Sequence, residues 1–88
     1  MEYPEHLHIA FGRTLRAYRK NAGLTQAALA KQAGTSISYI GYLEAGKRMP
    51  TLATFLTLAT VMDTDPQELL GATIRLQNAL QGQDKESA

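Results

Sequence analysis

Apolar residues recur along this chain at steps of three and four, the spacing that lines one face of an α-helix. Leu7, Phe11, Leu15, Tyr18 and Ala22 form the first such series, and Gly23 stops it. Pro4 and Glu5 suit its opening turn, one by its fixed φ and the other by its charge at the positive end of the helix dipole. Thr25 is a good N-cap for a second helix, Gln26 to Ala33, with Leu29, Ala30 and Ala33 on one face and Gly34 as the left-handed residue after it. Ser36 caps a third helix, in which Ile37, Ile40, Leu43 and Glu44 follow and which Gly46 ends. Lys47-Arg48-Met49-Pro50 reads as a connector. Thr51 then caps a fourth helix with Leu52, Phe55, Leu56, Ala59 and Met62 as its apolar series.

Asp65-Pro66 is an N-cap followed by proline at the first helical position, which opens a fifth short helix through Leu70. Gly71 is expected to break it, leaving residues 72–81 as a separate amphipathic segment carrying Ile74, Leu76, Ala79 and Leu80. The polar residues 82–88 are expected to form a flexible tail. No window alternates like a strand, so the expected fold is all-α: five helices and an additional C-terminal helix in one domain over residues 1–81.

The second and third of these helices are separated by a turn of three or four residues containing Gly34, the arrangement of a helix-turn-helix unit over residues 25–45. Small Ala30 suits the close crossing of the two helices. Ile40 and Leu43 lie one helical step apart and can lock the third helix to a core. Ile37, Ser38, Gly41 and Tyr42 then face outward, on the side such a helix lays in the DNA major groove.

Charge adds to this picture. The net charge is only +1, but seven basic residues (Arg13, Arg16, Arg19, Lys20, Lys31, Lys47, Arg48) and one acid, Glu44, lie between His6 and Pro50. Five acids and two bases follow Pro50. A basic block beside an acidic one fits a polyanion-facing side, and it also fits a solvated helix face. With no cysteine, disulfides and thiolate metal sites are excluded. No leader-like start and no apolar run of membrane-spanning length occur, so a soluble, cytoplasmic chain is expected. His6 and His8 are two apart on a helix and face different ways, which argues against a metal site. Neither a carboxylate pair nor a Gly-rich phosphate loop is present, so no catalysis and no cofactor are expected.

The run Gly23-Leu24-Thr25-Gln26, Leu29-Ala30, Gly34, Ser36, Tyr39-Ile40, Leu43-Glu44, Gly46-Lys47-Arg48, Pro50 closely resembles the phage repressor and Cro family of bacterial transcriptional regulators. The similarity extends through Leu52, Leu56, Ala59 and the Asp65-Pro66-x-Glu68-Leu69-Leu70 segment, from roughly Phe11 to Leu70. It implies a five-helix λ-repressor-like DNA-binding domain. Gln26, at a helix N-terminus, corresponds to a phosphate-binding glutamine. Ser36, Ile37, Ser38, Tyr39, Gly41 and Tyr42 occupy recognition-helix positions, and Lys47 and Arg48 correspond to phosphate contacts. Arg19 and Glu44 correspond to a structural ion pair.

One departure stands out. Where the family often carries a glutamine able to bond adenine, this chain has Ile37, whose natural partner is a thymine methyl. Limited direct readout is therefore expected, with the shape and flexibility of the DNA adding specificity. Family members usually read a pseudo-palindrome as dimers, and Ile74, Leu76, Ala79 and Leu80 are the expected dimer surface. The alternative reading is a protein-interaction module, an antitoxin or adaptor on the same fold. It separates from a DNA reader by the salt dependence of DNA binding.

Overall fold

Each change of direction in this chain coincides with a residue chemistry that ends one helix or begins the next. The computed structural model describes residues 6–87. Five helices follow in order: α1 (Leu7–Asn21), α2 (Gln26–Ala33), α3 (Ile37–Glu44), α4 (Leu52–Val61) and α5 (Pro66–Ser87). No strand occurs among the described residues.

The starts are made by side-chain oxygens. Thr25 Oγ1 accepts from the Ala28 amide at 3.0 Å, Ser36 Oγ from Tyr39 at 3.0 Å and Thr51 Oγ1 from Thr54 at 3.1 Å. Asp65 Oδ1 does the same for the Gln67 amide at 2.8 Å. Each cap satisfies a donor that the helix cannot satisfy itself, and each is worth about 1 kcal/mol. The stops follow one scheme: a left-handed residue lets the next amide reach back over the last turn. At Gly34, with φ of 73°, the Thr35 amide bonds the Ala30 carbonyl at 2.9 Å. After α4 that residue is Asp63, φ 52°, and the Thr64 amide bonds Ala59 at 2.9 Å. A side chain there carries strain that glycine would not.

The core takes Phe11 and Leu15 from α1, Leu29 and Ala30 from α2, Ile40 and Leu43 from α3, Leu58 and Ala59 from α4, Met62, and Leu69 from α5. Phe55 closes it, its ring 5.9 Å from that of Phe11. α1 packs on α3 and α5, α2 on α3 and α4, and α4 on α5. The α1–α3 crossing depends on Gly12, where a Cβ would stand 2.5 Å from the Leu43 carbonyl oxygen and 2.7 Å from that of Glu44.

Three expectations differ from the structure. Gly71 does not break the chain: α5 runs through it to Ser87, so the separate segment 72–81 and the expected tail 82–88 are one helix as far as residue 87. The cost of one glycine in a helix, about 1 kcal/mol, is smaller than the gain from a helix whose Leu69, Thr73 and Gln77 are all buried. The inward face of α4 is also rotated. Leu58, Ala59 and Met62 are buried while Leu52 is 74% and Leu56 44% exposed. Apolar residues surround α4 on nearly every side, so spacing alone selects no face. Finally, α1 begins at Leu7 and the cap at its other end, Ala22, is exposed. Pro4, Glu5 and Ala88 lie outside the described residues.

Candidate nucleic-acid interface

An eight-residue helix such as α3 does not hold its shape alone in water. Here it is fixed at four points. Ser36 caps its start. Ile40 and Leu43, both fully buried, lock its inner face. Gly46, φ 74°, turns the chain so that the Lys47 amide bonds the Tyr42 carbonyl at 2.9 Å.

The fourth point is a polar clamp. Arg19, in the last turn of α1, donates from Nε to Glu44 Oε2 at 2.6 Å and from Nη2 to Glu44 Oε1 at 3.0 Å. Its Nη1 donates to the Leu24 carbonyl at 2.9 Å. Gln26 Nε2 donates to the same Glu44 Oε1 at 3.0 Å. The Arg19 and Glu44 side chains are only 9% and 5% exposed. The hydrogen bond to Glu44 raises the Arg19 pKa; burial works against that and the Coulombic attraction of Glu44 adds to it. One carboxylate thus ties the end of α1, the start of α2 and the end of α3 together. No buried side-chain nitrogen or oxygen among the described residues is left without a partner.

What remains outward on α3 is an ordered strip. Ile37 is 54% exposed and Tyr42 46%, with Ser38 exposed beside them. Gly41 is half-buried, and nothing lies within 4 Å of where its Cβ would be. Ser36 is exposed, with its hydroxyl engaged in the cap. Tyr39 is half-buried and packs against the core, apart from the outward strip. Lys47 and Arg48 are exposed just past the helix, and the Arg48 guanidinium stands over the Tyr42 ring, 6.0 Å from its centroid. Arg13, Arg16 and Lys20 occupy the solvent face of α1. The only acid between His6 and Pro50 is Glu44, already engaged by Arg19 and Gln26. This strip therefore presents apolar, hydroxyl and cationic groups without an opposing free carboxylate.

Sequence reasoning did not find the bond from Gln26 to Glu44, the contact between Tyr42 and Arg48, or the crowding at Gly12. None of the three has a periodic signal, because each joins residues brought together by helix crossing or chain reversal. The expected dimer residues are divided. Ile74 is 44% exposed and Ala79 exposed, whereas Leu76 and Leu80 are half-buried. A groove of about 480 Å³ between the ends of α1 and α4 includes Asp63 and Glu68, a poor setting for a phosphate. Among the described residues no group of three or more histidine, cysteine and carboxylate side chains could hold a metal, and no helix is long and apolar enough to cross a membrane.

A glycine turn between two short helices, the second with an outward face and a basic exit, defines a helix-turn-helix DNA-binding domain. Comparison with known proteins gives the same class. Residues 10–72 match the family model described as "Helix-turn-helix domain". The chain is 41% identical over 59 residues to YazB of Bacillus subtilis (strain 168), an uncharacterized HTH-type transcriptional regulator, spanning 67% of this chain and 86% of YazB. It is similar to C.AhdI, the restriction-modification controller protein from Aeromonas hydrophila, at 43% identity and a TM-score of 0.67, covering 69% of this chain and 92% of that one. The clp gene regulator ClgR from Corynebacterium glutamicum shares the fold at a TM-score of 0.85 and 21% identity, covering 92% of this chain and 86% of ClgR. The chain belongs to the helix-turn-helix family of DNA-binding transcriptional regulators, of the Cro-like class, and that is a family of regulators and not of enzymes.

Proposed function

We propose that this protein regulates transcription in the cytoplasm by binding a pseudo-palindromic duplex operator as a homodimer, with α3 of each copy in a major groove. The observation that carries the reading is the outward strip of α3: Ile37, Ser38, Gly41 and Tyr42 stand free of the core on a helix that Ile40, Leu43 and Glu44 hold rigid. Ile37 meets a thymine methyl, and Ser36 and Ser38 meet bases or nearby backbone. Gln26 retains its amide oxygen and one N–H beyond the bond to Glu44, and at the N-terminus of α2 that N–H serves a DNA phosphate. Lys47 and Arg48 neutralise further phosphates.

Dimerisation needs an apolar surface left open by the fold. Ile74 provides part of it, and Leu70, 47% exposed one turn before it on α5, extends it. Leu76 and Leu80, half-buried, lie on the opposite side of α5 beside the buried Leu69 and Thr73, and exposed Ala79 stands apart from Ile74, so the open apolar surface centres on Leu70 and Ile74. Ile74→Asp is expected to shift the protein to a monomer in analytical ultracentrifugation while its helical circular dichroism is retained. Cutting the chain at Gly71 is a poorer test, because it also removes buried Thr73 and Gln77.

The function is tested by selecting bound sequences from random duplexes at two salt concentrations. A pseudo-palindrome with half-sites about ten base pairs apart, bound more weakly at high salt, is expected. No enrichment at either salt would defeat the operator reading and leave a protein partner as the ligand of the α3 face.

A further inference from the structure

Tyr42 and Arg48 are six positions apart, yet the backbone between them is tightly fixed. The Gly46 amide bonds the Leu43 carbonyl at 3.2 Å and the Lys47 amide bonds that of Tyr42 at 2.9 Å. Gly46 itself lies against α1, where an added Cβ would be 3.3 Å from Ile9 Cα. Arg48 therefore leaves a rigid turn, and its guanidinium stands over the Tyr42 ring with Cζ 6.0 Å from the centroid. Resting on the DNA-binding reading above, we propose that Tyr42 is a positioning residue that holds Arg48 for a DNA phosphate, and not a reader of bases.

The chemistry favours a ring over an acid for this task. A carboxylate would hold Arg48 more firmly but would satisfy the N–H groups and charge that a phosphate needs. A ring takes the guanidinium by its face and leaves the five in-plane donors free for a bidentate contact. The one carboxylate in this part of the chain, Glu44, is engaged by Arg19 and Gln26 and does not compete. Holding Arg48 before DNA arrives reduces the rotamer freedom lost on binding. Lys47, a flexible point charge, receives no such support on this surface.

The test measures affinity for a fluorescent pool of random-sequence duplexes over a salt series, using the full chain as wild type, Y42F, Y42L, R48A and the Y42L/R48A double variant. R48A is expected to weaken binding and reduce the salt slope by about one phosphate's worth. Y42L is expected to weaken binding to the pool about 2- to 5-fold, the factor that corresponds to an exposed cation–π pair. Y42F restores wild-type affinity because the ring remains, and Y42L has no further effect once Arg48 is gone.

The proposal is overturned if Y42L leaves pool affinity unchanged, if Y42F behaves like Y42L, or if Y42L is equally harmful in the R48A background. Those outcomes leave DNA binding by the wild type intact. A wild type that does not bind the pool at any salt removes the DNA-binding reading as well, so the two failures are told apart.

Discussion

α3 and α5 are held in place by opposite means. α3 has eight residues and only two fully buried side chains, Ile40 and Leu43, with its orientation completed by a cap, a left-handed stop and the Arg19–Glu44–Gln26 clamp. α5 has 22 residues and lies along α1, burying Leu69, Thr73 and Gln77 on one stripe. Thr73 returns its hydroxyl to the Leu69 carbonyl at 2.9 Å, and Gln77 donates to Gln81 at 2.9 Å. A long helix gains its stability from many modest contacts. A short helix that must present a defined face depends on a few directional ones, so single substitutions should harm α3 far more than α5.

The largest effect is expected at the clamp. Glu44→Ala leaves the Arg19 guanidinium nearly buried without its partner, and the loss of stability should be about 3–5 kcal/mol, measured by urea unfolding. Replacing Arg19 and Glu44 together with apolar residues of similar size should cost much less, because no charge is then stranded. Since the Arg19 pKa is raised in the folded state by the Glu44 carboxylate, its contribution is present through the neutral range and is lost as pH rises through the alkaline arginine range. A pH titration that shows the guanidinium share fading near neutrality would contradict this linkage.

Two glycines sharpen the comparison further, since the same substitution should have opposite signs. Gly12→Ala drives a methyl into the Leu43 and Glu44 carbonyls and should destabilise by about 1–3 kcal/mol or more. Gly71→Ala in α5 meets only the end of the Arg75 side chain, at 3.2 Å, and should stabilise by about 0.5–1 kcal/mol through helix propensity. Thermal unfolding of the two variants side by side decides the matter. The smallest change is expected at Asp63, where glycine relieves the left-handed strain at the end of α4. Glycine's greater freedom in the unfolded chain offsets most of that relief, so Asp63→Gly should raise the melting temperature by a few degrees at most, a net gain below about 0.5 kcal/mol.

Much of the fold was legible because its determinants are local. Thr25, Ser36, Thr51 and Asp65 each begin a helix through a bond to an amide two or three residues on. Gly34 and Gly46 stop helices for a reason contained in one residue. The outward strip of α3 was legible too, since Ile40 and Leu43, one helical step apart, place Ser38 and Tyr42 on the other side of an eight-residue helix. α4 defeated the same method. Leu52 and Leu56 follow the three-and-four rule as well as Leu58 and Ala59 do, and a helix apolar on most sides takes its inward face from its neighbours.

The sequence by itself determined where α2 and α3 begin and end and where α4 and α5 begin, that the second and third make a tight glycine-turned pair, and which side of the third is free. Those outcomes follow from backbone sterics, capping and periodicity, all of which act within a few residues. Only the tertiary structure decided that Gly71 stays helical, that Gly12 is the crossing point of α1 and α3, that Gln26 shares Glu44 with Arg19, and that Arg48 returns over Tyr42. These depend on where helix axes cross and on how the turn after α3 directs the chain. Residues distant in sequence meet there at separations that no local pattern encodes.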